Sequence, residues 1–430
     1  MKHSSDHPSN HSSWIAPSLM PSQSAIFCEF DRQCMHQALA LAALGQYTAR
    51  PNPAVGCVLT QGQTVVATGA HRKAGTAHAE VQALQHAQDS GVCVQGATAY
   101  VTLEPCAHFG KTPPCALALS EAGVRRVVVA MCDPNPQVAG EGVAIMRRNG
   151  IVVEVGLLAE QAAQLNHNFF YAMRHQIPYV ITKIAMSLDA KTAMANGESR
   201  WITGDQARTQ VHHLRAQHAV LLTGVGTVLA DDPALTVRLD TAQKKALGWL
   251  PDVFEADQVH PMRVILDPRL RVPASAKIGQ QPGQTVIVTC ASVYQARSTT
   301  VASLQSAGFE VVPFACEQVG AQPRFDLKAV LAWLHQAYQA RSVMVEAGAT
   351  LNGALIEAGL INEYHVFIAP VLMGSQAKGM AHLPGLVEMT QRLALTWQQV
   401  QPIGQDMYGI LKGDVLKGDV LKGDDEPTPK

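Results

Sequence analysis

The chain has 430 residues, 47% of them hydrophobic, with 33 Lys and Arg against 34 Asp and Glu. This is apolar material for two or three ordinary domains, and the balanced charge excludes the broad positive field that gathers nucleic acid without regard to sequence. No apolar run approaches the roughly 18 residues of a membrane span, so no membrane partner is expected.

Residues 1–30 are rich in Ser, His and Pro and lack the apolar core of a signal peptide, so a disordered extension is expected there. A first domain is expected over 31–172. From Asp31, the residues Met35, Ala38, Leu39 and Ala42 recur at helical spacing, and Gly45 stands where a helix would be capped. Val55–Leu59 and Val65–Thr68 flank a Gly-containing turn and read as a hairpin. A helix from about His78 follows, then a strand over 98–103. Pro114 opens a helix that Gly123 closes, Val127–Ala130 is a buried strand, and a helix over 140–149 precedes a strand from Ile151. Such alternation predicts a three-layer α/β domain on a central sheet.

Asn166–Pro178 reads as the transition to a second α/β unit over 178–410. Its strands are expected at 179–187, 219–223, 263–267, 285–290, 311–314, 342–345 and 364–369, with helices at 205–216 and 326–340. Residues 240–262 have no clear period and suit a surface loop. Residues 411–430 carry a five-residue unit, LKGDV, repeated too few times for a solenoid, and read as a tail.

Seven of the nine cysteines lie in the first third of the chain. An odd number does not suit a disulfide framework, so reduced thiols of a cytoplasmic protein are expected, some of them metal ligands. His78-Ala79-Glu80 lies where a helix begins, and Pro105-Cys106 and Pro114-Cys115 each place a thiol at the start of a helical turn. The positive end of a helix favours the thiolate that binds zinc. His78, Cys106 and Cys115 make three protein ligands and leave the fourth tetrahedral position open, as in catalytic zinc sites. Zinc acidifies a water there, and Glu80 is close enough to shuttle its proton to the ring nitrogen and the departing ammonia. Hydrolytic deamination of an aminopyrimidine or aminopurine needs those parts in that pattern. A lone His-Ala-Glu would be an ordinary helix start, and two buried cysteines ordinary core; the three motifs together point to the metal.

Two phosphate motifs fail. Gly110-Lys111-Thr112 resembles the end of a P-loop, but Pro105 stands where that pattern demands glycine. Gly224-Val-Gly226 follows a strand, but Leu229 occupies the third glycine of a dinucleotide fingerprint, so a Rossmann domain is not expected. The strand at 342–345 running into Glu346, a Gly-bearing turn and a helix is better suited to setting backbone N–H groups against a phosphate.

Eight residues separate Cys106 from Cys115, where nucleoside and tRNA deaminases usually have two. With Pro51-Asn52-Pro53-Ala54-Val55-Gly56, Gly69-Ala70-His71, Glu104-Pro105-Cys106 and Asp133-Pro134-Asn135-Pro136, this resembles the bifunctional riboflavin-biosynthesis deaminase-reductase family. The second half continues the resemblance in Lys183–Asp189, Ser199–Thr203, Leu229–Arg238 and Val345–Gly353, so that it covers about residues 30 to 410. It implies a cytidine-deaminase-like three-layer α/β/α domain followed by a dihydrofolate-reductase-like α/β domain, with zinc and NADPH as cofactors. The expected partners are a phosphoribosylaminopyrimidine and further copies of the chain.

By the same resemblance, Asn52, His71, His108, Lys111, Asp133 and Asn135 hold the deaminase substrate. Ala185, Trp201, Thr227, Asp231 and the run Gly348, Ala349, Thr350, Leu351, Asn352, Gly353, Ala354 line the NADPH site. Lys183, Ser199, Arg215, Leu235, Arg238 and Glu346 face the reductase substrate; Arg215 and Arg238 also suit bidentate phosphate binding by chemistry alone. Lys183, Asp231 and Glu346 all stand as proton donors for the reduction. One departure from the family is Ala190, where glycine is usual; a positive φ there would strain it.

Overall fold

The computed structural model describes residues 27–107, 113–134, 139–246, 249, 259–319 and 322–413. The expected disordered extension, apart from its last residues, and most of the expected tail lie outside them.

The first domain is a five-stranded sheet ordered Thr64–Ala70, Gly56–Gln61, Thr98–Val101, Arg126–Val129 and Val152–Val155, antiparallel over the hairpin side and parallel beyond it. Side chains alternate across the pleat. Val58, Tyr100 and Val128 face Met35 and Ala38 of the helix Glu29–Ala43, whereas Cys57, Leu59, Val101, Val127 and Val129 face the helices Ala79–Asp89, Cys115–Glu121 and Glu141–Arg148. The result is the three-layer α/β/α sandwich the sequence predicts. Two glycines let helices lie directly on the sheet: a Cβ at Gly56 would come within 2.0 Å of the Ala38 carbonyl oxygen, and one at Gly69 within 2.1 Å of the Ala79 oxygen.

Asn166–Pro178, read as a transition, is mostly helical: Ala159–Leu165 and His167–His175 meet at Asn166. The buried Asn166 accepts from the Ala54 N–H and donates to the Ala54 oxygen, both at 2.8 Å, so the join grips the loop that carries Asn52.

The second domain is a nine-stranded sheet ordered Glu310–Phe314, Thr285–Cys290, Met262–Leu266, Val220–Gly224, Ser342–Val345, Tyr179–Ser187, Glu363–Ala369, Asp406–Gly413 and Leu395–Ile403. The first seven run parallel and the last two close the edge antiparallel. Apolar cores cover both faces, one around Ile181, Leu221, Ile265 and Met344 and the other around Val180, Leu222, Val264 and Val343. Runs such as 179–182 are therefore buried on both sides, which is why they read as continuous apolar strands.

Three expectations change. Leu411 is buried and pairs with Tyr364, so the domain reaches Gly413 and takes in the start of the first LKGDV unit. The loop expected over 240–262 contains the short helix Thr241–Ala246. Cys290 and Cys316 form a disulfide joining a strand end to the hairpin Cys316–Val319 and Gln322–Phe325, against the expectation of reduced thiols throughout. No helix among the described residues is long and apolar enough to cross a membrane.

Candidate active sites

His78 is the N-cap of Ala79–Asp89, and the close seat of that helix on Gly69 fixes where the imidazole points. Cys115 is the first residue of its helix. Cys106 is different from the expectation: it lies in irregular chain after the strand Thr98–Val101, not at a helix start. Its thiol is favoured instead by a hydrogen bond from the Cys115 backbone N–H at 3.3 Å.

The His78 Nδ1 is 3.6 Å from the Cys106 Sγ and 3.3 Å from the Cys115 Sγ, and the three donor atoms lie within 4.8 Å of one another. Tetrahedral zinc with bonds of about 2.0 Å to nitrogen and 2.3 Å to sulfur spaces such donors about 3.5 Å apart, so the set fits the ion. Titration agrees. The Cys115 thiol, then His78, hold Cys106 down at about 4, whereas Cys115, hydrogen-bonded to Cys106 and buried, is pushed up. With one thiol held down and the other pushed up, a cation bound between them would draw off the second proton. Glu80 is buried beside them, and its burial raises the carboxyl to about 7. Such a group can both take and return a proton near neutral pH.

Of the expected substrate residues, the structure joins Asn52 and His71. His71 donates from Nδ1 to the Ala77 oxygen at 3.2 Å and accepts at Nε2 from the Asn52 amide at 3.1 Å. Burial lowers its pKa, which favours the neutral ring that these two hydrogen bonds require. Its edge meets the His78 ring 5.3 Å away. Asp133 follows the strand Arg126–Val129 and is placed by Glu104. His108, Lys111 and Asn135 lie outside the described residues.

Glu104 is the residue whose role the motif did not reveal. Its carboxylate accepts from the backbone N–H groups of Asp133 at 3.0 Å, Gly140 at 2.9 Å and Val143 at 3.1 Å. It ties Asp133 and the start of the helix Glu141–Arg148 to the Cys106 segment and serves the free N–H groups opening that helix. Gly142 completes the join, since a Cβ there would come within 1.9 Å of the Pro105 oxygen.

The second candidate site gathers at the carboxyl ends of the parallel strands, where open α/β sheets bind ligands. Glu346 directly follows the strand Ser342–Val345 and is buried; it accepts from Arg215 Nε at 2.6 Å and Nη2 at 2.9 Å, with Lys183 Nζ at 3.5 Å. Burial alone would raise the Glu346 carboxyl, but Arg215 and Lys183 hold it at about 2. The Arg215 fork, expected on a phosphate, is thus taken up by Glu346, because both groups are buried and each needs its counter-charge. Arg238 is exposed and is the freer of the two arginines, with Nη1 donating to the Thr236 hydroxyl at 3.1 Å. Buried Leu235 precedes it at φ 47°. His212, which the sequence reading passed over, stands between the arginines; burial, then Arg215 and Arg238, lower it to about 4.

Ser199 donates to Asp231 at 3.2 Å, so one expected substrate residue and one expected cofactor residue are joined. Trp201 is 71% exposed, with the Arg208 guanidinium 4.5 Å from its ring centre. Ala185 and Thr227 are half-buried near the same strand ends. Gly348 caps the helix Ala349–Glu357, and Ala349, Thr350 and Leu351 form its first turn beside Gly224. Asn352 and Gly353 face inward instead. Asn352 is buried and bonds the Thr182 hydroxyl and the Ala347 oxygen at 3.0 Å, and a Cβ at Gly353 would come within 2.0 Å of the His382 oxygen. They shape the turn rather than line it, and half-buried Ala354 follows them. The exposed Gly348 with nothing near its missing Cβ, ahead of free helix N–H groups, is a cradle that fits a dinucleotide pyrophosphate.

Fold and sites together define a two-domain enzyme, a zinc-binding deaminase sandwich fused to a reductase built on a long parallel sheet. Residues 28–131 match the family model of the cytidine and deoxycytidylate deaminase zinc-binding region, and residues 178–408 match that of the RibD C-terminal domain. The chain is 44% identical over 377 residues to the riboflavin biosynthesis protein RibD of Escherichia coli, covering 88% of this chain and 98% of that one. It is 43% identical over 390 residues to that of Haemophilus influenzae, covering 89% and 97%. Among solved structures it is similar to Acinetobacter baumannii RibD, with a TM-score of 0.77, 42% identity and coverage of 89% and 99%. A Thermotoga maritima diaminohydroxyphosphoribosylaminopyrimidine deaminase/5-amino-6-(5-phosphoribosylamino)uracil reductase aligns with a TM-score of 0.75 at 28% identity, covering 89% and 99%. The chain belongs to the RibD family of riboflavin biosynthesis, whose members are hydrolase and oxidoreductase in one polypeptide and use zinc and NADPH.

Proposed function

We propose that the chain runs two consecutive steps. The first domain removes the 2-amino group of 2,5-diamino-6-(5-phosphoribosylamino)pyrimidin-4-one by hydrolysis, and the second reduces the ribosyl group of the product to ribityl with NADPH. The observation that carries the reading is the clustering of His78, Cys106 and Cys115 against a buried carboxyl, Glu80.

Zinc on those three donors supplies the Lewis acidity that makes a water nucleophilic near neutral pH. Glu80, raised by burial, takes a proton from the attacking water and passes protons to the ring nitrogen and to the leaving ammonia. Asn52, oriented by His71, holds the pyrimidine together with Asp133, which Glu104 places, and with Asn135; His108 and Lys111 take the phosphoribosyl arm.

In the second domain, NADPH supplies hydride. Ala185, Trp201, Thr227, Asp231 and the Gly348–Ala354 turn hold the cofactor, with Asn352 and Gly353 shaping that turn. Lys183, Ser199, Arg215, Leu235, Arg238 and Glu346 surround the substrate. The Arg215–Glu346–Lys183 cluster orients the site, and Arg238 is its phosphate ligand. The proton donor for the reduction is drawn from Lys183, Asp231 and Glu346, of which Lys183 Nζ and the Glu346 carboxylate stand 3.5 Å apart.

The domains run 31–172 and 178–410, with the closing strand extending the second to Gly413. The working form is a cytoplasmic homo-oligomer that binds no nucleic acid. The near-neutral charge supports the last point. The uncharged outer strand Leu395–Ile403, with Trp397 and Val400 each 51% exposed, supports self-association, since unguarded sheet edges seek partners.

Glu80→Gln, prepared with zinc bound, tests the deaminase assignment. Ammonia release falls by at least about a hundredfold while NADPH oxidation on the deaminated substrate persists; full deaminase turnover in that variant rejects the proton-shuttle role.

A further inference from the structure

Arg238 lies between two residues that leave the reductase surface altogether. Val237 and Leu239 are buried in a small cluster with Ala216, Trp249, Val259 and Tyr47, while Arg238 is exposed. Tyr47 alone in that cluster comes from the first domain, from the turn after the helix Glu29–Ala43. Its ring lies 5.0 Å from Trp249 and 5.8 Å from His213, and its hydroxyl is 2.6 Å from the His213 Nε2. His213 is the neighbour of His212 on the helix Asp205–Gln217, which also carries Arg215.

The segment 236–239 is therefore held from two directions. On the reductase side, the Thr236 oxygen accepts from Arg215 Nη1 at 2.9 Å, and the Arg238 N–H donates to the His212 Nδ1 at 3.3 Å. On the other side, one hydrogen bond, from the Val237 N–H to the His260 Nδ1 at 3.4 Å, joins apolar packing, and the largest polarisable ring available to Val237 and Leu239 besides Trp249 is that of Tyr47. The segment has no strand pairing of its own. Without the Tyr47 ring, the cavity beneath Val237 and Leu239 invites collapse or sliding of an unpaired segment, and Arg238 moves with it.

We propose that Tyr47 of the deaminase domain is a positioning residue for the reductase: it seats Val237 and Leu239 so that Arg238 stands beside Arg215 to receive the substrate phosphate. This rests on the reading of Arg238 as a reductase substrate ligand. It gives the fusion of the two domains a physical role, since the reductase phosphate arm is braced by a side chain the reductase domain does not contain.

The test is steady-state kinetics of the full chain with 5-amino-6-(5-phosphoribosylamino)uracil and NADPH. Tyr47→Ala raises the KM for the uracil substrate about tenfold, leaving kcat and the KM for NADPH within about twofold, because a displaced positioning group costs binding before chemistry. Tyr47→Phe restores the KM, since the ring does the packing. Arg238→Ala gives the same KM defect, and the double variant is no worse than the worse single one, as for two residues acting through one contact. Should Tyr47→Ala fail to fold, Leu239→Ala opens the same cluster from the other side and is expected to raise the KM likewise. If Arg238→Ala raises the KM but neither Tyr47→Ala nor Leu239→Ala does, Tyr47 only glues the domains and the proposal is wrong. If Arg238→Ala leaves the KM unchanged, the reading of Arg238 fails and takes the proposal with it.

Discussion

Arg215 and Glu346 meet as a bidentate pair, Nε to Oε1 at 2.6 Å and Nη2 to Oε2 at 2.9 Å, with both side chains at least nine-tenths buried. Removing one partner leaves the other charged in a dry environment, which costs about 3–5 kcal/mol. Arg215→Leu is expected to lower the denaturant midpoint by a corresponding amount. A Glu346→Gln/Arg215→Leu double variant recovers part of the loss, which a thermodynamic cycle reads directly.

The same pair sets an acid limit. Glu346 and Glu363 are both held at about 2, against an ordinary 4.5; burial opposes this, but Arg215 and Lys183 act on the first and His365 on the second. A depressed carboxyl adds stability that is complete above the unfolded pKa and disappears as pH falls from about 4.5 toward 2. Unfolding free energy measured between pH 6 and pH 3 should therefore drop steeply, and less steeply in Glu346→Gln. Equal slopes would mean the carboxyl is not depressed.

Cys106→Ser should strip zinc from the purified chain and abolish ammonia release, because the thiolate held down by Cys115 and His78 is lost. The second domain has its own core, so NADPH oxidation on the deaminated substrate should survive. Metal analysis alongside both assays separates the two.

Glu104→Gln keeps the shape but weakens charge-assisted bonds to three backbone N–H groups. A loss of about 1–3 kcal/mol is expected. Zinc should remain while the KM for the diaminopyrimidine rises, since the hold on Asp133 loosens and that on the ligands does not.

Ala190 has φ 57° and is held by a turn to the Ser187 oxygen. Ala190→Gly should raise stability by up to about 1 kcal/mol, measured as a higher melting temperature, because glycine visits that region freely.

The metal donors were legible because their chemistry needs specific residue types at short spacing: His78, Cys106, Cys115 and Glu80 come together as expected. Ala190 stood out for a different reason, as a departure from the glycine usual in the family, and the structure gives it the positive φ that would strain it. Glu104 was not legible, since accepting backbone N–H groups from a loop about 30 residues away leaves no spacing signal. Arg215 and Glu346 were both named through the resemblance, Arg215 with support from its chemistry, but their pairing depends on how the fold brings 215 and 346 together. The outer strand Leu395–Ile403 escaped notice because it is exposed on both faces and bulges between Trp397 and Gln399, so it lacks a clean two-residue alternation. Asn166–Pro178 looked like a linker through its Asn and Pro content, yet its helix is held by packing that composition does not report.

The central claim, two linked activities on one chain, is tested by giving the purified full-length protein 2,5-diamino-6-(5-phosphoribosylamino)pyrimidin-4-one with NADPH and recording ammonia, NADPH absorbance and bound zinc together. The account predicts about one zinc per chain, ammonia release first, and NADPH oxidation that follows it to about equal yield. Ammonia release from zinc-free protein, or NADPH oxidation that proceeds with the substrate still aminated, would contradict it.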